Sequence, residues 1–319
     1  MIKHQTLSRV AERLYWLGRY IERIESTARL ITVNSNLLMD LPVRLPLGWQ
    51  PLIDIMGSEE LFESHHKEAT ERNVVRFLTS DANNPGSIVS SIHRARENAR
   101  TVRDTMPRVT FEYINDLYLY ARTELSGQLS RTRCVEALSG ITRRVQQLEG
   151  FLSANMVHGE KWNFLRLGNY IERADMTTRI IDVRSRDLLL ESSDLLPFQN
   201  IQWRSVLRSL YAMQSYYASM NEPIDRAPVL EFLFTNTELP RAYARCLQDI
   251  RRTLRALPRS DRPLRACNRT IRSLKQADVR EREGETLHAF IDDCQVALAE
   301  LHDEIGKTYF YFKPRRRRA

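Results

Sequence analysis

One fifteen-residue pattern occurs twice in this chain, and it constrains the fold more than any other feature. Leu17-Gly18-Arg19-Tyr20-Ile21-Glu22-Arg23 returns 150 positions later as Leu167-Gly168-Asn169-Tyr170-Ile171-Glu172-Arg173. The match runs on through Thr27/Thr177, Arg29/Arg179 and Ile31/Ile181, so nine of fifteen aligned positions are identical. A need for helix formation alone would preserve only the apolar residues. Preserving Gly, Glu and Arg as well reports a polar geometry that the molecule uses twice.

Helical spacing shows what that geometry is. Val10, Leu14, Leu17, Ile21, Ile24, Ala28 and Ile31 fall on one apolar stripe, and Leu167, Ile171, Ala174 and Ile181 form its counterpart. Beside the stripes run Gly18, Glu22, Glu25 and Arg29 in the first copy and Gly168, Glu172, Asp175 and Arg179 in the second. A glycine inside a helix costs about 1 kcal/mol against alanine, so its use in both copies predicts a close approach by another backbone or side chain. Glu25/Arg29 and Asp175/Arg179 are acid-then-base pairs one turn apart, the favourable order on a helix. Two such helices related by a pseudo-twofold would bring the polar faces together, each acid bonding an arginine of the other helix.

The candidate polar site is therefore Glu22, Arg23, Glu25, Arg29, Arg96, Arg100, Glu172, Arg173, Asp175 and Arg179. Three readings of it stay open. The favoured one is a semi-buried salt-bridge lattice that fixes helix register. The second is a site for a phosphate or carboxylate group that uses Arg29 and Arg179 with Arg96 or Arg100. The third, a dimetal centre, is disfavoured: no histidine follows a motif acid by three residues, and the arginines compete for the carboxylates and repel a cation. No metal and no cofactor are expected. The chain also lacks a P-loop, a dinucleotide-binding glycine motif, His-Glu-x-x-His and a Gly-x-Ser-x-Gly elbow.

The remaining sequence predicts an all-α fold. With 42% hydrophobic residues and only 11 Gly and 12 Pro in 319 residues, the chain is suited to a multi-helix bundle of about nine to ten helices that includes the two long motif helices. It reads as a single domain over 1–312, divisible into pseudo-repeated halves 1–157 and 158–312, and a flexible basic tail over 313–319. The first helix should run from Leu7 to Met39 and stop at the proline-rich 41–48; 58–79 and 200–219 each read as one helix, and the second motif helix should run from Lys161 to Glu191. No run of about 18 apolar residues is present, and the N-terminus lacks the apolar core of a secretory signal, so the chain is expected in the cytoplasm. Cys134, Cys246, Cys267 and Cys294 have no paired spacing and read as buried residues, with Cys246, close to Arg241 and Arg245, the one loose candidate for a thiol with chemistry. Of the net charge of +8, five units belong to Lys313 and Arg315 to Arg318. The body is thus expected not to be a basic platform, and no specific nucleic-acid partner is expected.

The segment Leu7 to Leu30, the run Arg94-Ala-Arg-Glu-Asn-Ala-Arg100, the stretch Phe164 to Asp175, Leu239-Pro-Arg-Ala-Tyr243 and the terminal Ile305-Gly306 with Tyr309-Phe310 resemble, in this order, the alpha-E domain family of bacterial helical proteins, named for a Glu-Arg motif. The chain departs from that pattern at Met106-Pro107-Arg108-Val109-Thr110 and again over Asn155 to Glu160. Members are typically encoded beside, or fused to, circularly permuted ATP-grasp proteins. The resemblance therefore implies a helical accessory that binds an ATP-grasp-type ligase as its protein partner, or presents a peptide substrate, in peptide ligation or modification. The alternative it implies is an enzyme subunit acting on a peptide or amino-acid adduct through the paired Glu/Asp and Arg faces. The oligomeric state is not legible.

Overall fold

The computed structural model describes residues 6–40, 48–127, 129–187 and 199–311, and every regular element among them is helical. Long α1 (Ser8–Asp40) leads to three short helices, α2 (Gln50–Met56), α3 (Glu59–Glu63) and α4 (Glu71–Thr79), and then to α5 (Ile88–Thr101), α6 (Val109–Glu124) and α7 (Arg131–Asn155). The next seven helices repeat this series. Long α8 (Glu160–Asp187) precedes short α9 (Gln199–Ser209), α10 (Met213–Ser219) and α11 (Arg226–Thr235), and α12 (Tyr243–Arg255), α13 (Asp261–Gln276) and α14 (Gly284–Tyr309) follow. The later members agree in length as well as order: α6 and α13 have 16 residues each, α7 has 25 and α14 has 26.

Among the described residues fourteen α-helices replace the nine to ten read from sequence, and short helices contribute to the difference. Span 58–79 is two helices, because the Ser64 hydroxyl turns back to the Leu61 carbonyl and the Thr70 hydroxyl caps a new start at the Asn73 amide. Span 200–219 is broken where Tyr211 takes a left-handed backbone (φ 51°) and the Ala212 amide closes onto the Leu207 carbonyl, a helix stop that glycine usually provides. The proline-rich 41–47, the expected extension of α8 to Glu191, and the tail with Lys313 and Arg315 to Arg318 lie outside the described residues.

Packing follows the same doubling. α1, α5, α6 and α7 form a ring in which each helix packs on the next, and α8, α12, α13 and α14 form a second ring in the same order. The rings meet at α1 and α8, whose apolar stripes supply the centre of the core: Leu14, Leu17, Ile24 and Ala28 from one helix, Leu167, Ile171, Ala174 and Ile181 from the other, all essentially inaccessible to solvent. Among the described residues no helix is long and apolar enough to cross a membrane.

The two repeat glycines mark the crossing. A Cβ built on Gly18 would lie 2.0 Å from the Leu165 carbonyl oxygen, and one on Gly168 would lie 1.9 Å from the Tyr15 carbonyl oxygen. Each glycine thus receives the backbone of the other helix, and the reciprocity is that of a local twofold. The obstructing atoms are backbone, so the helices themselves would have to separate to admit a side chain. Gly18→Ala and Gly168→Ala should each destabilise the protein by about 1–3 kcal/mol. Gly150→Ala, on α7 with nothing within 4 Å of its Cβ, should stabilise it by about 0.5–1 kcal/mol. Urea unfolding of the three variants checks this, and equal effects at the three positions would refute the crossing as the cause.

Candidate functional site

One turn beyond the glycine crossing, the two Glu-Arg pairs reach across to each other. Glu172 on α8 accepts from Arg19 Nε at 2.6 Å and Arg23 Nε at 2.6 Å, both on α1. Glu22 on α1 accepts from Arg173 Nη2 of α8 at 2.6 Å and from Arg241 Nη1 at 2.5 Å. The cross-pairing arises because Glu and Arg flank the apolar stripe at the height where the crossed backbones are closest. Both carboxylates are about 1% exposed.

The symmetry is broken first at the position of Arg19. The counterpart of Arg19 is Asn169, whose amide donates to the Gly18 carbonyl at 3.1 Å and to Glu149 at 3.2 Å, so Glu22 lacks the second arginine that Glu172 has. Arg241, from the turn before α12, fills the vacancy and also bonds Glu25 at 2.6 Å. Arg29 completes this side. Its Nη1 lies 2.7 Å from Glu25, poorly aligned for a hydrogen bond, while its Nε donates to the Ser209 carbonyl at 2.6 Å, at the negative end of α9. The Tyr211 ring lies 4.4 Å from the Arg29 guanidinium and 5.9 Å from that of Arg241. On the other side Asp175 and Arg179 pair at 3.0 Å and are partly open to solvent. Gly57, left-handed at the end of α2, makes room for the Arg179 guanidinium.

Electrostatics follow from burial set against the arginines. Burial pushes the Glu172 carboxyl up, but Arg23 and Arg19 more than reverse it and hold it down at about 2. Glu22 is likewise raised by burial and carried well below the usual carboxylate range by Arg173 and Arg241. Glu149 behaves oppositely: burial and the nearby Glu22 charge raise its carboxyl, because Arg173 and Arg166 compensate only in part. Cys246 sits among these charges, but burial pushes its thiol up to about 12, which removes it as a nucleophile near neutral pH; all four cysteines are buried and free.

The structure brings together Glu22, Arg23, Glu25, Arg29, Glu172 and Arg173, and keeps Asp175 with Arg179 at the partly open rim. It does not bring in Arg96 or Arg100. Arg96 bonds Asn115 and Glu97, and Arg100 bonds Glu97 on exposed α5 surface, which is incompatible with an anion site shared by Arg29, Arg179 and these two. Sequence reasoning missed Arg19, Arg241 and Tyr211. Arg19 lies inside the repeat but drops out of an identity comparison because its counterpart is Asn169. Arg241 stands 219 residues from Glu22, in a stretch whose resemblance was recognised and whose role was not.

Elsewhere, Asp182, His288 and Asp292 offer ligand atoms within 4.8 Å of one another. Each ring nitrogen of His288 faces a different carboxylate, Asp182 at 2.7 Å, which bridges α8 to α14 by a hydrogen bond, and Asp292 at 3.3 Å on α14 itself. Two surface cavities, of about 410 and 500 Å³, lie away from the Glu-Arg cluster, one lined by 219–222, α11 residues and Arg280 and the other between α13 and α14.

Because the Glu172 carboxyl is held low in the folded state, its contribution to stability is present above pH about 4.5 and lost as pH falls toward about 2. The loss approaches about 3 kcal/mol. Glu172→Gln should lower stability at pH 7 by about 3 kcal/mol, since it leaves Arg19 and Arg23 buried and underpaired, and should flatten the dependence of stability on pH between about 4.5 and 2. Denaturant unfolding across that range measures both, and an unchanged acid slope in the variant would contradict the assignment.

Uncharacterised proteins of Mycobacterium bovis and of two Mycobacterium tuberculosis strains are each 23% identical to this chain over 321 residues, covering 92% of it and 34% of their own length. The chain thus spans about a third of the length of these curated relatives. No solved structure matches it. The family model for Alpha-E, a predicted alpha-helical domain with a conserved ER motif, matches residues 6–310. Glu-Arg pairs at Glu22-Arg23 and Glu172-Arg173 clasp the long helices together in this structure, and the chain belongs to the Alpha-E family.

Proposed function

We propose that this protein is a noncatalytic helical accessory that binds a larger protein, an ATP-grasp-type ligase, in a cytoplasmic peptide ligation or modification system, supporting the ligase or presenting its peptide substrate. One observation carries the reading: the duplicated motif spends its charge on itself. Glu22 and Glu172 are each held by two guanidiniums and sealed from solvent, so neither serves as a base, a nucleophile or a ligand for substrate. A motif used in this way fixes a shape. Residues 1–157 and 158–312 then act as two halves of one scaffold. Relatives roughly three times as long support a working context in which the Alpha-E region is one part of a larger machine.

A second reading, an enzyme subunit acting on a peptide or amino-acid adduct, is favoured by Glu149, whose raised carboxyl is about a quarter exposed beside the cluster. The paired Glu/Asp and Arg faces, with Asp175 and Arg179 partly open to solvent, would be presented to the adduct. Purification of the tagged chain from its native host separates the two readings. The accessory reading expects a ligase in stoichiometric amount and no ATP- or peptide-dependent turnover by the isolated chain. Turnover by the isolated chain that Glu149→Gln abolishes would establish the enzyme-subunit reading instead.

A further inference from the structure

The near balance of charge in the body conceals an uneven distribution. From α12 to α13 (243–276) the chain carries ten basic residues against two acids, Asp249 and Asp261. The corresponding span in the first series, α5 to α6 (88–124), carries six against five. Both pairs occupy the same place in their rings, so packing does not require the excess.

Amphipathicity sends that excess outward. Leu247, Ile250, Leu254, Ala266, Cys267 and Leu274 are buried, which leaves the basic positions on the outer faces. Arg251, Arg255, Arg262, Arg265, Arg272 and Lys275 make no ion pair among the described residues, whereas Arg245 and Arg252 pair with Asp249, Arg269 pairs with Glu300, and Arg259 is also engaged. On α13, Arg262, Arg265, Arg269 and Arg272 recur every three or four residues and form a straight row about 15 Å long. The chain also leaves the described residues beside this face. Tyr309, at the end of α14, feels the charges of Arg259 and Asp261 at the α12–α13 turn, and Lys313 and Arg315 to Arg318 follow within seven residues of Tyr311.

We propose that the α12–α13 face is a docking surface for the phosphodiester backbone of duplex nucleic acid, bound without sequence preference. None of the large exposed hydrophobic residues lies on these helices, so the face lacks both the apolar anchor of a protein interface and the wedge that enters a bilayer. Its one aromatic residue, Tyr243, is buried, so it offers no ring on which single-stranded bases stack. What remains is a row of planar, permanently charged forks that match phosphate oxygens, on a rigid helix pair long enough to follow a duplex carrying one charge per ~1.7 Å of axis. Arg262, Arg265 and Arg269 share a groove with Glu300, Asp303, Glu304 and Lys307 of α14, so the three acids lie beside the row and oppose a polyanion there.

The test is binding of a labelled 30-base-pair duplex by the full chain at several salt concentrations. Arg255, Arg262, Arg265 and Arg272 all changed to Glu should weaken binding at least tenfold near 0.1 M salt and make the salt dependence shallower. The same four changed to Gln should act in the same direction, which covers the case in which the reversed variant does not fold. An equal reversal at Arg94, Arg103, Arg108 and Lys161 should cost less than threefold. Glu300→Gln with Asp303→Asn and Glu304→Gln should tighten binding. No duplex binding by the wild-type chain, tighter binding to phosphatidylserine vesicles or to single strands, an equal loss in the control reversal, or full binding lost by deleting 313–319 alone would each overturn the proposal.

Discussion

The architecture depends on one contact, the crossing of α1 and α8 at Gly18 and Gly168. There backbone meets backbone, and that approach puts the carboxylate of one helix within reach of the guanidinium of the other. Buried charges are tolerated only when each is paired and its remaining donors and acceptors are bonded. At this crossing the pairing is also directional, since a shift of α1 along α8 by one residue would part Glu22 from Arg173 and Glu172 from Arg23 together. Apolar stripes alone would tolerate such a shift far better, because Leu and Ile pack against one another in several registers.

Of the aligned positions at which the two copies of the motif differ, only Arg19/Asn169 changes charge, and it shows how the fold accommodates the difference. Replacing an arginine by Asn169 removes a positive charge from beside a buried carboxylate. Arg241 restores it from the turn before α12, and in doing so ties the second ring to α1 through Glu22 and Glu25. The compensating residue brings with it a stack of arginines under Tyr211, whose left-handed backbone is a conformation that bulky residues seldom adopt. The asymmetric side of the cluster is therefore the more elaborate one.

Inside and outside divide the charge differently. At the centre, arginines and carboxylates neutralise one another and close the site. On α12 and α13, Arg251, Arg255, Arg262, Arg265 and Arg272 make no ion pair among the described residues, in a span whose counterpart in the first ring is nearly neutral. The first arrangement holds the molecule together; the second is free to meet something else.

The amino-acid sequence by itself determined that the chain is helical, that α1 and α8 are equivalent, and that Gly18, Glu22, Gly168 and Glu172 face a shared polar interior, because periodicity and repetition are local properties that survive without coordinates. It did not reveal the short helices of each series, whose ends are decided by single side-chain caps such as Thr70 and by a left-handed residue, Tyr211, that no turn-forming residue announces. Nor did it reveal the company the motif keeps. Arg96 and Arg100 read like site residues and turn to Glu97 and Asn115, while Arg241 enters from 219 positions away. The charge excess from α12 to α13 was countable but was averaged away in the net charge of the body. Pairing between distant charges and the face on which a charge emerges are set by which helices pack together, and that is decided only when the rings close.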